Sequence, residues 1–291
     1  MDKADTKQSS AYTADMFTLS ALAANHLKPI TAVLLRTSDD ESKIVYIVQQ
    51  LLEYPFVKEI RIQDNIKLRP LTIEQLKLNP RTHSRVNVEI LQAEEDLGSF
   101  ARYTMCALGS YDHCYFQDDL WINNYLDTMY TSFLRNPDLV HSMTDPAQYS
   151  ESQRWQFNNQ DIKMHAGYSS FQYGAFVPRW KTQNFLTQLG KSGVTKNRQR
   201  YSDIYFIMWT NQYPWILSNS LRADQKPLTQ GLDPDRFSQI LNDAIRRLQG
   251  KLESDTSSTP KDYFMREQGQ PSLADRDIRL VNERMNISAS F

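Results

Sequence analysis

Tyr111-Asp112-His113-Cys114-Tyr115-Phe116-Gln117-Asp118-Asp119-Leu120-Trp121 is the stretch whose reading decides the fold. It opens as an aromatic, apolar run, the pattern of a buried strand, and breaks off into two adjacent carboxylates. An acidic pair at the end of a strand can hold a divalent cation at a sheet edge. Magnesium and manganese take oxygen ligands, typically one or two carboxylates plus phosphate oxygens from a substrate. The same letters also describe an acidic turn with a helix after it, and the surrounding sequence has to decide between the two.

Upstream, Pro29 precedes Ile30-Thr31-Ala32-Val33-Leu34-Leu35, an uninterrupted apolar run of the kind found in parallel strands buried on both faces. Arg36-Thr37-Ser38-Asp39-Asp40 forms the loop at its end, with Ser38 or Asp39 as N-cap of the next helix. That helix carries Ile44, Ile47, Val48 and Leu51 at helical spacing and ends at Pro55. Residues 57–62 read as a second strand closing on Gln63-Asp64-Asn65. A helical pattern follows over 71–78, then an alternating strand at Val86, Val88 and Ile90. Gly98-Ser99 opens a helix over 100–108. After the central strand, Asn123 is placed to cap a helix with the stripe Leu126, Met129, Tyr130, Phe133 and Leu134.

Strand and helix alternating in this order imply parallel strands under right-handed crossovers. Ligands in such sheets bind at the carboxyl ends of the strands. Three of those ends are polar here: Arg36-Thr37-Ser38, Asp64-Asn65 and Asp118-Asp119. No GxGxxG and no GxxxxGK[ST] is present, so a phosphorylated ligand would have to be held by basic side chains or a metal.

The second half is less regular. Residues 139–143 read as a strand, and 144–161 as a polar loop carrying Tyr149, Trp155 and Phe157. Phe171 to Arg179 is a further apolar run, followed by a helix over 180–189 and a basic loop over 191–200. Tyr201 to Trp209 begins a large helix for which Ser202 or Asp203 is a candidate N-cap. Asp233-Pro234 opens an amphipathic helix with Phe237, Ile240, Leu241, Ile245 and Leu248, expected to stop at Gly250. Residues 251–262 read as flexible, and 276–291 suggest no element.

The 291-residue chain has a net charge of −1, which leaves no electrostatic footprint for nucleic acid. Its first ten residues are polar, without the apolar core of a signal peptide, and no run is long enough to span a bilayer. The chain is therefore expected to be soluble with no membrane span. The only N-glycosylation sequon is Asn286-Ile287-Ser288. Cys106 and Cys114 cannot make a structural zinc site, and nothing argues for a disulfide framework, so both read as small buried residues.

Taken in order, five segments resemble one family: Phe116-Gln117-Asp118-Asp119-Leu120-Trp121, His165-Ala166-Gly167-Tyr168, Gly174-Ala175-Phe176, Ser202-Asp203-Ile204-Tyr205-Phe206 and Trp209-Thr210-Asn211-Gln212-Tyr213-Pro214. Over about residues 30–221 the chain resembles the GT-A glycosyltransferases that use nucleotide diphosphate sugars, in particular the exostosin-like group, glycosyltransferase family 64, and its fungal relatives. The resemblance implies an α/β fold of GT-A type, a Rossmann-like mixed sheet flanked by helices, with a C-terminal helical extension. It divides the chain into a polar segment over 1–27, a GT-A domain over 28–225, and a C-terminal helix and tail over 226–291.

The resemblance also implies a hexosyl- or N-acetylhexosaminyl-transferase that retains configuration, moving a sugar from a UDP- or GDP-sugar to a glycan or glycoprotein acceptor. Asp118 and Asp119 stand at the D-x-D motif that binds Mn²⁺ (or Mg²⁺) and, through it, the diphosphate. Arg36, Asn65 and Arg102 fall near the nucleotide. Asp203 matches the catalytic acidic residue, and His165, Gly167 and Tyr168 the acceptor side. It places the chain in the secretory pathway or Golgi if it is a fragment of an anchored protein. One departure stands out. The family shows three acidic residues in a row where this chain has two, with Gln117 and Leu120 on either side. That departure motivates the alternative of a catalytically degenerate GT-A module binding nucleotide, glycan or a partner. From the residues alone, Asp203 reads equally as a helix cap, His165 as a loop histidine, and Arg36 and Arg102 as surface partners of Asp39, Asp40 or Glu95.

Overall fold

The computed structural model describes residues 27–79, 85–92, 94–119, 121–144, 156–218 and 234–255. Expectations for 1–26, Leu120, Tyr149, Trp155, the sequon and the segment beyond 255 lie outside them. Among the described residues the strands are β1 (Ile30–Arg36), β2 (Val57–Asp64), β3 (Asn87–Gln92), β4 (His113–Asp118), β5 (His141–Thr144), β6 (Gln156–Asn159), β7 (Met164–Gly167), β8 (Ala175–Pro178) and β9 (Trp215–Ser218). The helices are α1 (Glu41–Leu52), α2 (Phe100–Ala107), α3 (Leu126–Arg135), α4 (Arg179–Lys191), α5 (Lys196–Gln199), α6 (Ser202–Trp209) and α7 (Pro234–Asp255).

Seven of these strands form one sheet in the order β3-β2-β1-β4-β8-β5-β9, and β6 pairs with β7 in a separate ribbon. Only β8 runs against its neighbours β4 and β5. The remaining pairs are parallel, so their carboxyl ends share one edge. This is the mixed α/β sheet flanked by helices that the sequence implies. The register sets Arg36 opposite Asp64 and Leu35 opposite Asp118, which levels the polar ends of β1, β2 and β4.

Every residue of β1 is buried, as expected of a strand covered on both faces. Ala32 and Leu34 point to one face, where they pack under Ile44, Ile47, Val48 and Leu51 of α1 and Met129, Tyr130 and Phe133 of α3. Val33 points to the other with Phe116, beneath Tyr103 of α2, Phe185 of α4 and Phe206 of α6. The stripe Ile240, Ala244, Leu248 and Leu252 of α7 joins that second core.

The structure corrects several expectations. Asp40, not Ser38 or Asp39, caps α1, accepting from the Ser42 amide. The 71–78 pattern yields only a single 3₁₀ turn, Glu74–Leu76. Asn123 does not cap α3. Its side chain accepts from the Tyr125 amide and donates to the Tyr115 hydroxyl, holding the turn before the helix. The polar loop contains β6, and the basic loop contains α5. Neither Ser202 nor Asp203 caps α6, whose N-cap is Tyr201 without a side-chain bond.

Helix α7 also runs through Gly250 to Asp255. A mid-helix glycine costs about 1 kcal/mol, but full burial of Leu252 one turn beyond Leu248 contributes about 2 kcal/mol, enough to carry the helix on.

Cys106 and Cys114 are joined by a disulfide that ties the end of α2 to β4. Sequence gave no pattern for it, because a single pair eight residues apart resembles two ordinary buried thiols. By the chain-entropy argument, a loop this short is worth about 2–3 kcal/mol. Reduction is therefore expected to lower unfolding stability by about that amount in denaturant titrations with and without reductant. Two free thiols in the unreduced, unfolded chain would contradict the bond.

Candidate functional site

The shared carboxyl edge gathers charges from β1, β2, β4, α2 and α6. Arg102 rises from the first turn of α2 and is 2% exposed. Its Nη2 lies 2.7 Å from Asp118 Oδ1 and its Nε 3.3 Å from Asp203 Oδ2. These are close ion pairs rather than aligned hydrogen bonds: Arg102 Nε and Nη1 and Asp118 Oδ1 have no hydrogen-bond partner. Asp203, in the first turn of α6, also accepts from the Tyr103 hydroxyl at 2.8 Å, and its amide donates to Ser99 Oγ at 3.0 Å. One guanidinium thus joins the tip of β4 to the start of α6.

The loops before α2 and α6 are fastened to each other. Ser99 N donates to the Arg200 carbonyl at 3.0 Å, and Arg200 pairs with Asp96. Gly98 has φ +56°, and a Cβ there would sit 2.6 Å from the Arg200 carbonyl oxygen. Only glycine allows this approach.

Asp119 is fully buried and turned toward the loop after β1. Its Oδ1 accepts from Thr37 N at 3.0 Å and Thr37 Oγ1 at 2.9 Å, and its Oδ2 from Ser38 N at 2.9 Å. Arg36 is buried as well, with Nη1 3.2 Å from both oxygens of Asp64 and 2.8 Å from the Arg69 carbonyl. Its Nε and Nη2 are unpaired, as is Asn65 Oδ1 beside it. Neither Arg36 nor Arg102 is a surface residue paired with Asp39, Asp40 or Glu95. The alternation of β4 sends Gln117 to the opposite face from Asp118, where Gln117 Oε1 accepts from Tyr115 and Nε2 donates to the Trp121 carbonyl.

Against the two cations Arg36 and Arg102 stand four carboxylates, Asp64, Asp118, Asp119 and Asp203. Burial pushes the Asp118 carboxyl up to about 7, and nearby Asp203 and Asp119 add to this, while Arg102 opposes it. Burial raises Asp203 and Asp119 too. Burial works against the Arg102 charge, but Asp118 and Asp203 outweigh it and leave the guanidinium above its usual range.

Of the acceptor-side residues, Tyr168 is brought to this network. Its hydroxyl is pushed up by burial and by Asp203, and its ring meets Phe237 of α7 edge-on at 5.1 Å. Gly167 serves packing, since a Cβ there would lie 2.9 Å from Pro214 Cδ. His165 is turned toward residues 211–213: its amide donates to Asn211 Oδ1 at 2.8 Å and its ring is 6.1 Å from that of Tyr213. Thr37 and Ser38 were read only as part of a polar strand end and Ser99 only as a helix start, and Tyr103 was not singled out. For Tyr103 the only signal available was its adjacency to Arg102.

The metal expectation does not fit the side chains as they stand. Asp119 spends both oxygens on the β1 loop, and Asp118 faces Arg102. Leucine at 120 offers no lone pair. Among the described residues no group of three or more His, Cys, Asp and Glu is arranged to hold an ion.

No protein-family model and no curated protein matches the sequence. Solved structures do show some likeness. A mannosyltransferase, PcManGT from Pyrobaculum calidifontis in complex with GDP-Man and Mn²⁺, is 12% identical with TM-score 0.41, over 90% of this chain and 81% of that one. S. aureus TarS 1–349 in complex with UDP is 14% identical with TM-score 0.44, over 88% and 82%. A CMP:2-keto-3-deoxy-manno-octonic acid synthetase complexed with CTP is 10% identical with TM-score 0.36, over 76% and 100%. Likeness at this level fixes neither the reaction nor the ligand, so function has to be argued from the side chains.

Two outcomes follow from the geometry. Asp119→Ala strands two loop amides and a hydroxyl and is expected to cost about 3 kcal/mol in denaturant unfolding. Asn at 118 is expected to change the pH profile. A carboxyl whose folded pKa is raised binds its proton more tightly in the folded state, so stability falls as pH rises from about 4 to about 7. Asp118→Asn should flatten that fall; an unchanged slope in pH-dependent unfolding would contradict the raised value.

Proposed function

We propose that the chain binds a nucleotide diphosphate sugar at the carboxyl edge of its sheet and transfers the sugar to a hydroxyl of a glycan or glycoprotein. The observation that carries this reading is the buried Arg102–Asp118–Asp203 network, level with Arg36 and Asn65, whose unpaired polar atoms suit a polar ligand. Arg36 and Asn65 would meet the nucleotide. Arg102 would face the diphosphate, where a guanidinium matches phosphate geometry. Asp203, held by Tyr103 and Arg102, would stabilise positive charge developing on the sugar as its bond to the diphosphate breaks. The acceptor hydroxyl oxygen forms the new bond to the sugar as the sugar–diphosphate bond breaks, and its proton passes to the departing diphosphate oxygen, with Tyr168 beside it.

The motifs quoted above favour the exostosin-like group and its fungal relatives, and with them retention of configuration. In that group Mn²⁺ (or Mg²⁺) would supply countercharge for the leaving diphosphate. Here Asp118 and Asp119 would have to leave their present partners to hold it, so no step is routed through the ion. The disulfide suits an oxidising compartment, in keeping with a secretory setting. Among the described residues no helix is long and apolar enough to cross a membrane.

The second reading, a degenerate module that binds without turnover, is favoured by the closed hydrogen bonding of Asp119 and by leucine at 120. Thermal-shift titration with a panel of UDP- and GDP-sugars, with and without Mn²⁺, separates the two when followed by a donor-hydrolysis assay. The transferase reading expects a shift with at least one donor, and hydrolysis reduced at least a hundredfold in Asp203→Asn. A shift without hydrolysis, or no shift with any donor, points to the degenerate module.

A further inference from the structure

We infer that Asp243, on the C-terminal helix α7, is a positioning residue that fixes the rotation of α6 and so holds Asp203 against Arg102. The inference rests on the reading of Asp203 given above.

Asp243 is 3% exposed although it sits on an amphipathic helix. Its carboxylate accepts from the Tyr205 hydroxyl at 2.8 Å and from Arg247 Nε at 2.9 Å. Arg246 Nη2 lies 2.7 Å away, and Arg198 of α5 reaches it at 3.0 Å. Burial works against the charge, but the hydroxyl and the arginines outweigh it and hold the carboxyl far below its ordinary range. Arg247 also donates to the Ser192 carbonyl at 2.7 Å, which ties the same hub to the end of α4. Asp243 therefore fastens α5, α6 and α7 together at one point.

The geometry of α6 turns that fastening into control of the site. Residues two apart on a helix lie about 200° apart around its axis, so Tyr205 faces α7 while Asp203 faces Arg102. The helix has only eight residues and no side-chain N-cap. Its buried Ile204, Phe206, Ile207 and Met208 seat it in the second core, and polar contacts grip it on two sides. On the site side the grips are Ser99, Tyr103 and Arg102. On the other they are Asp243 through Tyr205, and Ala244, whose carbonyl accepts from Trp209 Nε1 at 3.2 Å. A roll that frees Tyr205 swings Asp203 away from Arg102. Phe237, two turns earlier on α7, packs on Tyr168, so the same helix backs both residues.

The test compares Tyr205→Phe, which removes the tie to α6 but leaves the arginines on Asp243, with Leu252→Ala, a buried change at the far end of α7. Donor turnover in Tyr205→Phe is expected to show kcat lowered about tenfold with KM changed less than twofold, because misplacement acts on the chemical step. Leu252→Ala should lower Tm and leave kcat unaltered. An unchanged kcat in Tyr205→Phe, or equal losses in both variants, overturns the inference. If the wild type turns over no donor, the functional reading fails and the carboxyl titration of Asp203 followed by ¹³C NMR decides. An altered Asp203 titration in Tyr205→Phe but not in Leu252→Ala upholds the positioning role, and identical titrations overturn it. Should Tyr205→Phe not fold, Asp243→Asn is read by the same criteria.

Discussion

A single buried guanidinium holds the polar edge of this protein's sheet together. Arg102 lies between Asp118 at the tip of β4 and Asp203 at the start of α6, and each of the three is costly to bury alone. Together they fix where α2, β4 and α6 meet. The sheet supplies the level, since its register brings the ends of β1, β2 and β4 into line. The disulfide between Cys106 and Cys114 fastens the far end of the same helix to the same strand. Arg102 and Asp118 are thus carried on two elements that are covalently joined.

The acidic pair divides its work. Strand alternation turns Asp118 toward the helices that carry Arg102 and Asp203, while Asp119 turns to the loop after β1 and binds Thr37 and Ser38. The pair that looks like a metal motif in the sequence serves as one half of an ion network and one loop clamp. Four carboxylates stand against two arginines at this edge, and burial, helped by nearby Asp203 and Asp119 and opposed by Arg102, pushes the Asp118 carboxyl up to about 7.

Sequence reasoning captured what periodicity controls. The buried run of β1, the apolar stripe of α1 and the strand that ends in Asp118-Asp119 all follow from patterns that packing enforces. It failed where a long-range partner decides the outcome. Gly250 looks like a helix stop until Leu252 is seen buried beyond it, and 144–161 looks like loop until β6 pairs with β7. The site was legible as a list of polar strand ends, because the topology of alternating strands and helices fixes which ends share an edge. Its connections were not legible. That Arg102 bridges two carboxylates, that Tyr103 and Ser99 hold Asp203, and that Asp243 grips α6 from behind depend on helix rotations that no local pattern encodes.

The most direct measurement of this account is a stability comparison of Arg102→Met with the triple variant Arg102→Met/Asp118→Asn/Asp203→Asn by denaturant unfolding. Removing the guanidinium alone leaves two buried carboxylates without a countercharge and is expected to cost about 3–5 kcal/mol. Neutralising both carboxylates at once should restore most of that loss, because the charges that needed Arg102 are gone. If the triple variant is instead destabilised by the sum of the separate substitutions, the three residues are not one interaction, and the site built on them does not stand.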